Sequence, residues 1–147
     1  MKKKISLITL FICFNIILTA QTRGYSNFDN VGQQAFSILQ NMTTASFNQF
    51  SAHFSSNIVL AENLTGKKIP SDYISSMYND LKKAGSSSNI KWSAIKFKRI
   101  IQGRAVEESG ILNYKGRLFF EYSGKEYPAS IRVIQYQGKY YLIGIGI

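Results

Sequence analysis

The feature that most constrains the fold is a change in hydrophobic periodicity near residue 88. Residues 27–85 repeat their apolar side chains every three or four positions, whereas residues 90–147 alternate them every two. The first period is typical of a helix with one buried face, and the second of a strand with one buried face. The sequence therefore predicts an α+β domain, with helices first and antiparallel strands second.

Three helices are predicted in the first part of the chain. The first carries an apolar stripe made of Phe28, Val31, Ala35, Ile38, Leu39 and Met42, and the second carries Phe47, Phe50, Phe54 and Ile58 before a polar loop over residues 61–70. Each helix has candidate caps of a common type, which are Asn27 or Asp29, Thr43 or Thr44, and Ser71 or Asp72. The third helix is expected to end at Gly85, because glycine suits the left-handed position after a helix.

Four strands are predicted in the second part, over residues 90–101, 111–122, 126–136 and 139–147. Ser123-Gly124 and Gln137-Gly138 fit two-residue turns, which would make the last three strands a meander. The first strand changes its alternation near residues 94 and 95, which indicates a bulge, and residues 102–110 are interpreted as a connection. We therefore expect three N-terminal helices on one face of a bent four-stranded sheet, with the other face in water unless a partner covers it.

The first 20 residues have the pattern of a secretory signal peptide. Lys2, Lys3 and Lys4 precede an apolar run over residues 5–18, and Leu18-Thr19-Ala20 fits a cleavage end. The run is shorter than the roughly 20 apolar residues of a spanning helix, so no transmembrane span is expected after cleavage. Cleavage after Ala20 would leave one domain, residues 21–147, exported to the periplasm or the exterior of a bacterial cell.

The usage of cysteine and histidine excludes several kinds of chemistry. Cys13, the one cysteine, lies in the leader, so the mature domain would hold no disulfide and no thiolate nucleophile. His53 is the one histidine and cannot form a multi-histidine metal site. We therefore expect no metal and no cofactor.

This order of elements resembles the NTF2-like superfamily, the SnoaL-like and cystatin-like cone. The resemblance rests on the aromatic segment Phe47, Phe50 and Phe54, on the long bent strand after the third helix, and on the closing hairpin over residues 131–145. It implies a cone-shaped α+β fold and an exported bacterial member. This superfold hosts enzymes and non-enzymes, and no catalytic set of its enzymes can be matched here residue by residue.

The aromatic residues of the strands suggest a ligand cavity. Trp92, Tyr114 and Tyr122 are expected to face the helices, where an apolar ring with a polar tip suits a small amphipathic ligand. The alternative is ordinary core packing.

The charge of the second part suggests an anionic partner. Residues 91–147 hold ten lysines and arginines against four acidic residues, whereas residues 21–90 hold five against four. By alternation, Lys96, Lys98, Lys115 and Arg117 lie on the face opposite the aromatic rows, and Arg132 is a candidate to join them. Such a patch would suit lipid head groups or a cell-surface glycan, while nucleic acid is not expected for an exported chain. The alternative is that these lysines only prevent edge-to-edge association.

The leading hypothesis is an exported, non-enzymatic domain that binds a small ligand or an envelope component. One rival is an enzyme that uses His53, with Asp72 or a cavity tyrosine, for proton transfer or dehydration. The other is a homodimeric interaction subunit, with Phe119 and Ile134 exposed at the interface.

Overall fold

The helices precede all but one of the strands in the structure, as the periodicity predicts, and the exception is a two-residue strand before the first helix. The computed structural model describes residues 22–147, and the predicted leader, with Cys13 and Ala20, lies outside them. The described part is α+β, with four α-helices and a six-stranded antiparallel sheet that curls into a half-barrel.

The helices are α1 (Phe28–Gln40), α2 (Phe47–Ser51), α3 (Ser55–Thr65) and α4 (Tyr73–Ser87). The strands are β1 (Gly24–Tyr25), β2 (Lys96–Ile101), β3 (Ala105–Glu108), β4 (Ile111–Tyr122), β5 (Lys125–Tyr136) and β6 (Lys139–Gly146). Their order is β1-β6-β5-β4-β2, and β3 also pairs with β4.

Four helices form where three were predicted, because a turn over residues 52–54 divides the second predicted helix into two. Ser46 begins α2 through a reciprocal capping box with Gln49, so the predicted threonine caps are wrong. Gly66 ends α3 in the left-handed conformation, and the helix therefore takes in half of the predicted polar loop.

The predicted end of the last helix is also wrong, since α4 continues past Gly85 to Ser87. Packing explains the glycine instead, because a Cβ at Gly85 would collide with the indole Nε1 of Trp92. Asp72 occupies the predicted cap position, but its side chain makes no capping hydrogen bond.

The first predicted strand is shorter than its pattern. Trp92–Ala94 forms one turn of 3-10 helix, and the strand proper starts at Lys96. The bulge lies between Phe97 and Arg99 rather than near residues 94 and 95. Because of it, Phe97 packs on Phe36 of α1 while Arg99 lies over Phe119.

The predicted connection over residues 102–110 contains a strand. β3 pairs with the start of β4, and Ser109-Gly110 joins the two strands with positive φ at both residues. The two predicted turns, Ser123-Gly124 and Gln137-Gly138, have the same left-handed pair of φ angles. That conformation is the one that two-residue hairpin turns favour.

One face of the sheet, called the inner face here, packs against α1. Phe28 contacts the ring of Tyr114 at 5.7 Å between centroids, and a Cβ at Gly32 would collide with Ile100. The apolar stripe of α1 is buried along its length, which confirms the orientation that its spacing predicts.

The opposite, outer face is covered unevenly. Residues 141–145 of β6 are all buried, so both sides of that strand are covered. α4 lies along its edge, where the backbone N–H of Ile145 meets the Met77 sulfur at 3.0 Å and the Tyr73 hydroxyl lies against Gly144. Water reaches the outer face across β2, β3, β4 and β5, where exposed side chains include Val106, Lys115 and Arg132.

Candidate functional site

The aromatic residues that were predicted to share a cavity lie at two places. Trp92 and Tyr122 line a cavity of about 520 Å³ between α4 and the 3-10 turn. Tyr114 lines a different cavity of about 480 Å³, and its hydroxyl donates a hydrogen bond to Gln135 Oε1 at 2.9 Å. Burial, followed by the neighbouring Tyr140, raises the pKa of Tyr114. The structure brings two of the three residues together.

The cations of the outer face fall into two groups, and two of the three cations in the first group form ion pairs. Lys98 Nζ lies 3.0 Å from Glu121 Oε2, and Arg99 Nη1 lies 2.7 Å from Glu126 Oε2. Lys96 is directly opposite Glu121 in the register of β2 and β4. The hydrogen bond from Arg99 is the largest cause that lowers the pKa of Glu126. We call these five residues the ion-pair end.

The second group has no such acids. Lys115 of β4 and Arg132 of β5 are directly opposite each other, and both are exposed. Arg117 lies two residues along β4 on the same face. Within residues 22–147, none of these three side chains forms an ion pair. Like charges at directly opposed positions destabilise a sheet, by roughly 0.2–1 kcal/mol per pair.

A fourth cation joins this group from a segment that was predicted to be a simple connection. Gly103 lies so close to β4 that a Cβ would collide with the backbone carbonyl of Lys115. This close approach sets the following residue, Arg104, beside Lys115 in the second cavity. Arg104 is exposed and forms no ion pair within the described chain. Sequence reasoning missed it, and the glycine before it was the available signal.

We call the cavity of about 480 Å³ lined by Arg104, Lys115 and Arg132 the cationic cleft. The Asn113 amide, the ring of Tyr114 and apolar residues from β3, β5 and β6 also line it. Glu108 also lines it, but the Lys67 ammonium from the loop after α3 pairs with this carboxylate. Asp80 and Arg132 both line a neighbouring cavity of about 250 Å³ without forming an ion pair. The cleft therefore keeps a positive excess.

The chemistry of the cleft is that of anion recognition. Two guanidinium groups present planar forks of N–H donors that match phosphate and carboxylate oxygens, and the ammonium adds a point charge. The asparagine amide adds a donor and an acceptor.

His53 is placed away from these cavities. It is half-buried on the turn between α2 and α3, and its Nδ1 lies 3.1 Å from the Gln34 side-chain nitrogen. Burial, followed by the charge of Arg23, lowers the pKa of His53. Neither His53 nor the exposed Asp72 lines any of the three cavities described above.

The predicted dimer surface requires a correction. Ile134 is fully buried, because both sides of the sheet are covered where β5 meets β6. Phe119 is half-buried under the guanidinium of Arg99, which lies 4.1 Å from the ring centroid. These two residues do not form an exposed apolar pair.

Residues 22–147 present neither a cluster of metal ligands nor a membrane-spanning helix. No three His, Cys, Asp or Glu side chains there have the arrangement needed to hold a metal ion. No helix in that part of the chain combines the length and the apolar character needed to span a membrane.

Comparisons of the chain with protein-family models, with curated proteins and with solved structures found no match. The resemblance to the NTF2-like superfamily therefore stays a prediction, while the α+β architecture with a curled sheet is seen directly in the structure.

Proposed function

We propose that this chain is an exported, non-enzymatic binding domain that holds an anionic group of an envelope component in its cationic cleft. The observation that carries the proposal is the directly opposed pair Lys115 and Arg132, with Arg104 beside it and no acid paired to any of them in the described chain. A bound phosphate or carboxylate would supply the missing negative charge.

The cost of this arrangement supports a functional interpretation. If exposed cations served only solubility, they would gain from acids placed across the sheet, as they have at the ion-pair end. The other end instead gathers cations from two strands and from the connection before β3 around one cavity. An anionic ligand turns this repulsion into attraction, so the arrangement favours the bound state.

The size of the cleft limits the part of the partner that it can hold. A volume of about 480 Å³ suits a small group rather than a polymer, which points to a lipid head group or one acidic sugar. The leader pattern supports a partner in the bacterial envelope, since it predicts export of residues 21–147. Nucleic acid is not expected there.

Calorimetric titration with glycerol 1-phosphate tests the proposal, with uncharged glycerol as the matched probe. We expect saturable binding of the phosphate ester alone, and its loss in Lys115→Ala/Arg132→Ala. The control is Lys83→Ala/Lys139→Ala, which removes the same charge from exposed positions outside the cleft. Equal weakening in both double variants would reduce the proposal to a non-specific charge effect and overturn it.

Export is tested separately by expressing the whole chain in a bacterial host. The mass of the recovered protein should correspond to residues 21–147, found outside the cytoplasm. Recovery of the uncleaved chain in the cytoplasm would contradict export. It would not bear on anion binding by the cleft, which the titration tests separately.

A further inference from the structure

A second binding site is indicated by the cavity of about 520 Å³ between α4 and the 3-10 turn. It shares no lining residue with the cationic cleft, so the observations that support it are independent of the proposed function. We propose that this cavity binds a small carboxylate that carries an apolar chain, with Trp92 and Lys91 as the groups that recognise the carboxylate.

The first observation is an unpaired donor on a buried side chain. Trp92 is only 3% exposed, and its indole N–H has no hydrogen-bond partner within residues 22–147. No fully enclosed side-chain nitrogen or oxygen of the described chain lacks a partner, so this N–H must retain access to solvent. The nitrogen lies against Gly85, and both residues line the cavity. A buried tryptophan usually pairs its N–H, so the free donor suits an acceptor brought by a ligand.

The second observation is the charge of the lining. Lys82 and Lys91 line the cavity, and no aspartate or glutamate of the described chain does. Lys82 is engaged, since its ammonium donates to the backbone carbonyls of Met42 and Thr43. Lys91 is exposed, directly precedes Trp92 and forms no ion pair within residues 22–147. An N–H donor and an ammonium without an ion pair, supplied by consecutive residues that line one cavity, suit the two oxygens of a carboxylate.

The third observation is an apolar wall beside these donors. Met42, Ile90 and the half-buried ring of Tyr122 line the same cavity. Thr43, Ser86 and Asn89 add polar groups to the lining, and small-molecule sites combine apolar walls with placed polar groups in cavities of this volume. The ligand is therefore amphipathic, with its chain on this wall.

The test uses the fact that Trp92 is the one tryptophan of the chain, so its indole N–H gives one unambiguous resonance. The ¹⁵N-labelled protein is titrated with hexanoate, and with 1-hexanol as the neutral probe of the same chain length. We expect a saturable downfield shift of the indole proton with hexanoate, and with hexanol at least about tenfold weaker binding, because the charge-assisted hydrogen bonds are missing.

Matched variants distinguish a localised site from a general effect of positive charge. Lys91→Ala should weaken hexanoate binding about tenfold through loss of one charged contact, whereas Lys83→Ala, which removes an exposed lysine outside the cavity, should leave it unchanged. Lys115→Ala/Arg132→Ala should also leave it unchanged. An indole resonance that does not move, equal movement with hexanol, or equal effects of Lys91→Ala and Lys83→Ala would each overturn the proposal.

Discussion

The outer face of the sheet carries cations at both ends, but carboxylates are paired with them at only one end. At the ion-pair end, Lys98 and Arg99 meet Glu121 and Glu126 within 3.0 Å. At the cationic cleft, Lys115 is directly opposite another cation, Arg132. The same alternation of exposed side chains thus places cations beside carboxylates at one end of the sheet and beside other cations at the other end.

This difference distinguishes charges that stabilise the folded protein from charges that do not. Exposed ion pairs contribute about 0–1 kcal/mol each, so the ion-pair end is explained as modest stabilisation of a sheet surface. Stability gives no reason for three cations around one cleft. Binding does, since an anion would reverse the sign of their interaction.

The largest expected effect comes from reversing both charges of the opposed pair. Lys115→Glu/Arg132→Glu should weaken binding of glycerol 1-phosphate by about a hundredfold or more, because two charged contacts become repulsive. Calorimetric titration measures this, and near-ultraviolet circular dichroism verifies the fold. Lys83→Glu/Lys139→Glu is the charge-matched control, and an equal loss there would contradict a localised site.

Reversing one charge should separate stability from binding. Arg132→Glu would place an acid opposite Lys115, so the free energy of unfolding should rise by roughly 0.2–1 kcal/mol. Binding of the phosphate ester should fall about tenfold in the same variant. Urea unfolding and titration give the two quantities, and a variant that is less stable yet binds normally would refute the comparison.

Removing an acid from the ion-pair end should make that end resemble the cleft. Glu121→Gln leaves Lys96 and Lys98 facing an uncharged amide, so the free energy of unfolding should fall by about 0–1 kcal/mol. Added affinity for the phosphate ester should be about twofold at most, because Glu121 lines none of the three cavities described here. If the ion-pair end of this variant bound the phosphate ester as tightly as the cleft does, unpaired cations would be sufficient for binding and the cavity would not be needed.

The smallest effect is the pH dependence of the pair between Arg99 and Glu126. Arg99 lowers the pKa of Glu126 in the folded state, so the stabilisation is present above the ordinary carboxyl pKa and is lost as pH falls through the lowered value. The stability difference between the original protein and Glu126→Gln should therefore be present at neutral pH and should shrink in acid. Glu107→Gln, at an exposed residue without an ion pair in the described chain, should show no such trend.

The sequence predicted the α+β class with a bent antiparallel sheet, but not the number of helices and strands. It also predicted which face of the sheet carries some of the cations. Alternation placed Lys115 and Arg117 on the outer face correctly, because each position follows from its own strand. The opposition of Lys115 and Arg132 depends on the register between strands, and the pairing of Lys98 with Glu121 depends on a register shift in β2. Neither can be read from a single strand.

Other features of the two cavities depend on tertiary packing, which the sequence pattern does not show. Arg104 joins the cleft because Gly103 fits against the backbone of β4, and Gly85 admits the indole of Trp92 instead of ending a helix. In both cases the sequence indicates a loop or a helix end at the glycine, while the structure uses it for close approach. Ile134 was predicted to be exposed, and this prediction is wrong. Helices that are distant in sequence pack against β6, the neighbour of β5, and their position cannot be read from the strand itself.

The measurement that most directly tests the central claim is a titration of the labelled protein with inorganic phosphate, followed through the arginine Nε–H resonances. The account predicts that the resonances of Arg104 and Arg132 move saturably and together, while that of Arg99, already bound to Glu126, does not move. If Arg99 moved as much as the other two, or if no resonance reached saturation, the cationic cleft would be no more than exposed charge.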